Sequence, residues 1–355
     1  MSSMTGNKIK ISVFGQSHSA GIGVVIDGLP AGKKIDMEKI MAFMERRAPG
    51  RNSLSTGRKE ADAPEIISGL VNDVTCGAPL CAIIKNTNQH SADYNNIMDT
   101  PRPSHADFSG NIRYNGFNDV SGGGHFSGRL TAPLCFAGAV CMQFLDDMGV
   151  CIQAHIQKIR NIYDDKIDFV NIGEWNTASK DFPVINDKKG ALMIAEIEKA
   201  REMGDSVGGV IECAIYNAPA GIGSPFFGSV ESRLSELLYS IPAVKGVEFG
   251  CGFDITKLRG SCANDMYITD GEKIKTLSNN NGGILGGITT GMPVVFRVAI
   301  KPTPSIFKPQ QTVNLETMEN EELVLKGRHD ACIVPRAVAV VESCAALCFL
   351  DMLLD

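Results

Sequence analysis

Three histidines stand in polar loops beside groups with which they could share a proton: Gln16-Ser17-His18, Arg102-Pro103-Ser104-His105-Ala106-Asp107 and Gly327-Arg328-His329-Asp330. Imidazole titrates near neutrality, so a residue of this kind can protonate a leaving group or donate to a cofactor nitrogen. Asp330 precedes the apolar Ala331-Cys332-Ile333, and reads either as a partly buried base or as the salt-bridge partner of Arg328 or Arg336. His90 and His155 look ordinary, the latter on an alternating strand. No two of the three loop histidines share a ligand spacing, so no metal is expected.

Two further segments suit an anion. Ser121-Gly122-Gly123-Gly124-His125-Phe126-Ser127-Gly128-Arg129 leads into a helix that starts near Thr131 with Pro133 in its first turn. Consecutive glycines expose N–H groups there, although a glycine turn that only caps a buried helix would look the same. Lys301-Pro302-Thr303-Pro304-Ser305 sets a cation and two hydroxyls on a stiff turn after a strand, which fits a phosphate or ribityl chain, or a plain surface turn. Arg46, Arg47, Arg51, Arg58 and Lys59 gather in one stretch of a chain whose formal net charge is −6. A basic pocket inside an acidic protein implies a small anionic guest, with no nucleic-acid or membrane-surface role.

The elements that must hold these residues are mixed. Ile9 to Phe14 and Ile22 to Ile26 read as strands flanking the loop of His18. Met37, Ile40, Met41 and Met44 follow helical spacing behind the N-cap Asp36, and Ala48-Pro49-Gly50 ends that helix just after Arg46 and Arg47. Further helices are expected at Ala132 to Asp147, Gly190 to Met203, Val230 to Tyr239 and Arg336 to Leu354, with strands at Gly208 to Ala214 and Val294 to Ile300. Asn161 to Lys189 reads as a peripheral polar excursion. The order suggests an α+β fold of layered sheets and helices in a single compact domain over residues 1–355. With 44% hydrophobic and 21% charged residues the chain is ordinary for a folded protein. Eleven cysteines without CxxC pairs read as reduced core residues of a cytoplasmic protein. No apolar signal core opens the chain, and no membrane span is expected.

GQSHS, RRAPG, RPSHAD, SGGGHFSGR, GDSVGG, IPAVKGVEFG, NNNGGILGGITTG, KPTPSI and GRHDACI occur in the order in which chorismate synthases carry such motifs, and they cover essentially the whole chain. The sequence thus resembles that family. The resemblance implies a β-α-β sandwich and a lyase that converts 5-enolpyruvylshikimate 3-phosphate to chorismate and phosphate by 1,4-anti elimination, with reduced FMN and no net redox change. It implies that His18 protonates the departing phosphate, that His105 donates to the N1–C2=O edge of the flavin, and that Asp330 with Ser17 and Ser127 deprotonates flavin N5. By the same matching, Arg47, Arg102, Arg129, Arg328 and Arg336 bind substrate. His125, Phe126, Ser127, Gly286, Lys301, Pro302, Thr303, Pro304, Ser305 and Arg328 contact FMN. A homotetramer is implied as well. With no GxGxxG after a strand, reduced flavin is expected from an external flavin reductase, with NADPH as an indirect electron source. The sequence departs from the family pattern where GESHG reads GQSHS, RPGHAD reads RPSHAD, GRHDPC reads GRHDAC, and GGGRSSAR reads Gly122 to Arg129 with His125 in place of an arginine.

Overall fold

Alternating apolar residues pair Lys10–Gly15 with Gly21–Asp27 in antiparallel register and turn Ile22, Val24 and Ile26 fully inward. The computed structural model describes residues 3–50, 62–86, 99–171, 177–269, 271–325 and 329–355. Those two strands are the centre of a five-stranded antiparallel sheet ordered Met4–Thr5, Lys10–Gly15, Gly21–Asp27, Leu80–Lys85, Pro64–Ser68. A second antiparallel sheet runs Val244–Phe249, Val294–Ile300, Gly209–Tyr216, Cys151–Ile159, Ile162–Tyr163. Two long apolar helices lie between the sheets. Thr131–Asp147 packs on the first sheet, Val334–Leu353 packs on the second, and the helices pack on each other. The result is an α+β fold in β-α-α-β layers, with one apolar core shared by both sheets.

The stretch Ser121–Asp147 is long and apolar enough to cross a membrane, yet 89% of its apolar window is buried inside the protein. It is a core helix, hydrophobic all round because it is covered all round. Its approach to Val334–Leu353 depends on Gly138: a methyl placed there would stand 2.4 Å from the Cα of Ser343. Cys135, Cys141, Cys344 and Cys348 fill this interface as free, buried thiols, and burial pushes the Cys135 thiol up to about 11.

Most element boundaries fall within three residues of the sequence expectation. Asn186 caps the helix Asp187–Glu202 through Lys188 and Lys189 N–H, three residues earlier than Gly190 suggested. Val334–Leu353 starts two residues before the expected Arg336, with Pro335 in its first turn. Ser229 caps Val230–Ser240 as expected.

Two buried polar groups stitch the layers together. Glu342 of the second inner helix takes a forked pair of hydrogen bonds from Arg46, 2.6 and 3.1 Å, and one from the Ala154 N–H in the second sheet. Burial opposes the charge on Arg46, but Glu342 outweighs it and the guanidinium pKa is raised. His155 is not the ordinary strand residue its pattern suggested. It is fully buried, with Nδ1 3.0 Å from Asp164 and Nε2 3.2 Å from Glu212. Asp164 also accepts the N–H groups of Ile185 and Asn186, so both ends of the polar segment near 161–189 are anchored to the sheet. Burial disfavours the imidazolium, yet the two carboxylates prevail and raise the His155 pKa.

Two outcomes follow for stability. Gly138→Ala gains helix propensity but must part the inner helices, and thermal unfolding is expected to show a net loss of about 1–3 kcal/mol. Replacing His155 by Gln strands two carboxylates and is expected to cost about 3–5 kcal/mol near pH 6 in urea unfolding. Because the folded His155 pKa lies above its unfolded value, this contribution is complete below about pH 6.5 and fades as pH rises through the folded pKa. The gap between wild type and His155→Gln therefore narrows toward alkaline pH.

Candidate active site

The helix Met37–Glu45 starts at Asp36, whose side chain accepts the Lys39 N–H, and its last turn releases Arg46 and Arg47 in different directions. Arg46 turns to Glu342 in the core, whereas Arg47 turns to a cleft of about 680 Å³. Arg47 is 2% exposed and spends all three donor nitrogens: Nε on Thr131 at 3.1 Å, one terminal nitrogen on Asp62 at 2.5 Å and the other on the Gly128 carbonyl at 3.0 Å. Arg129 binds the other oxygen of Asp62, and its Nε reaches Asn86 at 3.2 Å. Asn86 in turn donates to the carbonyls of Gln16 and Ser19 on either side of His18. Burial would raise the Asp62 pKa, but the two guanidinium groups hold it below the ordinary carboxylate value.

A second carboxylate organises the opposite wall. Asp107 accepts from the Arg102 N–H and Nε at 3.0 and 2.7 Å through one oxygen, and from an Arg102 terminal nitrogen at 2.8 Å through the other. Nδ1 of His105 lies 2.5 Å from that second oxygen. Burial opposes the Asp107 charge, but the bonds from Arg102 and His105 outweigh it and lower the pKa. Ser104, where the family pattern has glycine, has φ +60°, a left-handed conformation that costs a side chain roughly 1 kcal/mol. Its carbonyl accepts from Lys301 Nζ.

Arg336 also lines the cleft and binds Asp330 at 2.8 Å, so the salt-bridge reading of Asp330 holds for Arg336. Burial, and then the nearby charge of Arg47, lower the Arg336 pKa. Lys301 is lowered by burial and by Lys245 across the cleft rim. Among the described residues, Arg47, Arg102, Arg129 and Arg336 share Asp62, Asp107 and Asp330, while Lys245 and Lys301 have no carboxylate partner. Positive charge is therefore in excess, and the Thr303 hydroxyl on the same wall is buried without a hydrogen-bond partner among the described residues. Ile333, Ala337 and Val340 supply an apolar face. The cleft is built for an anion with a flat apolar portion.

The glycine run divides the site. Gly122, Gly123 and Gly124 have φ of +61°, +85° and +53°. A methyl on Gly122 would lie 2.3 to 2.7 Å from the ring of His18 and the Ser17 hydroxyl, and one on Gly123 would lie 3.2 Å from the His105 ring. His105 lines the cleft, as do Ser127, His125, Phe126, Arg47, Arg102, Arg129, Lys301, Thr303, Pro304, Ser305, Asp330 and Arg336. His18 and Ser17 do not line it. They lie behind Gly122, and the 3% exposed Ser17 has no hydrogen-bond partner for its hydroxyl among the described residues. Pro302 faces outward, and Gly286 sits in an exposed turn of the hairpin Ile284–Leu285 with Ile288–Thr289, away from the cleft. Arg328, Arg51, Arg58, Lys59 and His90 lie outside the described residues.

His125 carries an unexpected anchor. Its Nδ1 donates to the Gly15 carbonyl and its Nε2 meets the Ser3 hydroxyl, both at 2.8 Å, so both ring nitrogens are engaged by protein. Phe126 packs against Gly110 and Tyr114. Sequence reasoning missed Asp62, Asn86 and Lys245. Asp107 stood in the quoted RPSHAD motif, where its alternation with Arg102 and His105 was the available signal.

The chorismate synthase family model matches residues 9–354. The chain is 44% identical over 354 residues to the chorismate synthase of Dehalococcoides mccartyi strain BAV1, covering 100% of this chain and 97% of that protein. It is also 44% identical to the chorismate synthase of Thermococcus kodakarensis, covering 99% of this chain and 97% of that one. A crystal structure of a chorismate synthase superposes with a TM-score of 0.76 at 27% identity, covering 99% of this chain and 92% of that chain.

Asp62→Ala leaves two buried guanidinium groups facing each other, and urea unfolding at neutral pH is expected to show a loss of about 3–5 kcal/mol. As the Asp62 pKa is lowered on folding, its contribution is present above the unfolded value and disappears as pH falls through the folded one. Wild type and variant are therefore expected to converge in acid.

Proposed function

Because the chain belongs to the chorismate synthase family and so performs the chorismate-forming step of the shikimate pathway, we propose that it eliminates phosphate from 5-enolpyruvylshikimate 3-phosphate in a 1,4-anti sense, using reduced FMN without net redox change. The observation that carries this reading is the cleft with surplus positive charge, bordered by His105 and Asp330 and backed by an apolar wall. A substrate with a phosphate and two carboxylates meets the surplus charge, and a flat isoalloxazine meets Ile333, Ala337 and Val340. The unpartnered Thr303 hydroxyl, between Lys301 and Ser305 on the wall, is a ready contact for the cofactor's phosphate or ribityl chain.

Bound reduced FMN supplies electron density to the substrate. The residues of the chain do the rest. Lys301, Thr303, Pro304 and Ser305 hold the cofactor along one wall, with Phe126 and Ser127 completing its contacts. Arg47, Arg129 and Arg336 face the anionic substrate. His105 presents a donor to the flavin N1–C2=O edge. Asp330, with Ser127 and Ser17, accepts the proton of flavin N5, and Arg336 keeps that carboxylate in place. His18 gives its proton to the phosphate oxygen that leaves, and to do so the Gly122 backbone must yield, since His18 lies behind it. His125, tied to Gly15 and Ser3, acts on the cofactor only through the position of its loop.

The same reading places the enzyme in the cytoplasm as one domain over residues 1–355, supplied with reduced flavin by an external reductase drawing on NADPH. A homotetramer is supported by exposed aromatic residues, Phe226 at 85%, Phe227 at 94% and Phe253 at 80%. Gly287 closes on the Ser224 to Ser229 turn that carries Phe226 and Phe227, so Gly286 would meet a flavin only from a neighbouring subunit.

Anaerobic protein with reduced FMN is expected to release phosphate and chorismate from the substrate, followed by product absorbance and phosphate assay. No turnover with flavin bound would overturn the assignment. His18→Ala is expected to lower kcat by about 10²–10⁴-fold while flavin titrations stay unchanged.

A further inference from the structure

The Asp107 carboxylate receives four donors within 3.0 Å: the Arg102 N–H and Nε on one oxygen, an Arg102 terminal nitrogen and His105 Nδ1 on the other. The last two stand 3.0 Å apart and converge on the same oxygen. A guanidinium nitrogen can only donate, and a carboxylate can only accept, so the short Nδ1 contact requires the proton on Nδ1. The remaining ring nitrogen, Nε2, then faces Gly123 and the cleft. Arg102 meanwhile has Nε and one terminal nitrogen committed to Asp107, and both side chains are nearly inaccessible, at 5% and 6%.

We propose that Asp107 is a positioning residue of this active site: it holds a proton on Nδ1 of His105 and aims Nε2 at the cofactor, where that nitrogen would take the proton of reduced flavin N1 and donate it back to the N1–C2=O edge, and Arg102 holds Asp107 in place. The assignment rests on the proposed flavin-dependent function for its purpose, but not for its geometry. Asp107 is the first residue of the helix Asp107–Arg113, and the Arg102 N–H adds a backbone donor to the guanidinium fork on its carboxylate. The left-handed turn at Ser104, tied to Lys301, swings His105 back over Asp107 two residues later. Lys301 thereby couples the wall that binds the cofactor to the loop that presents the imidazole.

The test is nitrogen-15 NMR of histidine-labelled protein without flavin, paired with steady-state kinetics. Wild type is expected to show His105 as the Nδ1–H tautomer. In Asp107→Asn the side-chain amide can donate to Nδ1, so the Nε2–H tautomer should dominate, with kcat down about a hundredfold or more and substrate KM unchanged. Asp107→Glu keeps the charge and is expected to retain Nδ1–H and recover part of kcat; it serves also if the amide variant does not fold. An unchanged tautomer in Asp107→Asn, or Nε2–H in Asp107→Glu, overturns the proposal. A tautomer that responds as expected in a protein that makes no chorismate would instead overturn the functional reading and leave the positioning role standing.

Discussion

Arg47, Arg129 and Arg336 come together around one cleft wall, and like charges brought that close out of water repel unless something negative is shared among them. Asp62 is what two of them share. It has no exposed side-chain surface, it takes one arginine on each oxygen, and those arginines come from different parts of the chain. Arg47 leaves the end of Met37–Glu45, and Arg129 leaves the turn that begins the inner helix Thr131–Asp147. Through Arg129 and Asn86 the same carboxylate is coupled to the loop of His18. The placement of the helix end, the glycine run and the first sheet's loop thus depends on one buried acid. Arg336, paired separately with Asp330, still feels Arg47, and the two rim lysines have no carboxylate partner among the described residues. The protein neutralises enough charge to fold and leaves enough to attract an anion.

The framework was largely legible in the sequence because its signals are local. Asp36, Ser229 and the glycines and prolines near helix ends act within a turn, so their effect on the backbone can be read a few residues at a time. Where an end was misplaced, as at Asn186, a second capping residue stood slightly upstream of the apolar pattern. The site was legible as motifs but not as contacts. Arg46 and Arg47 are adjacent and chemically identical, yet one is a core anchor and the other a cleft residue, and only the direction of the last helical turn decides between them. Asp62 and His155 were invisible for the same reason: their partners are far away in sequence, and charge pairing through space leaves no periodicity. His125 lines the cleft, and its ties to Gly15 and Ser3 were not legible because those partners are more than a hundred residues away.

The run Gly122-Gly123-Gly124 brings these strands of argument together. Its left-handed backbone leaves no space for a Cβ at Gly122 because His18 and Ser17 occupy that space, and little at Gly123 because His105 does. The run thus packs against two imidazoles at once, His18 at Gly122 and His105 at Gly123. Any side chain in the run would push one ring away and disturb the other through the shared backbone. The run is pinned at its far end by the Ser17 N–H to the Gly124 carbonyl, 3.0 Å, and by His125 to Gly15 and Ser3. Ahead of those pins the Gly123 N–H donates to the Val120 carbonyl at 3.0 Å, and Gly122 is the residue packed on the His18 ring. Gly122 therefore stands against His18 with no side chain of its own, while His105 is held by Asp107 on the other side. Glycine is needed here twice over, once for the left-handed backbone and once for contact with the two rings, and the histidine at position 125, where the family pattern has arginine, is one of the pins.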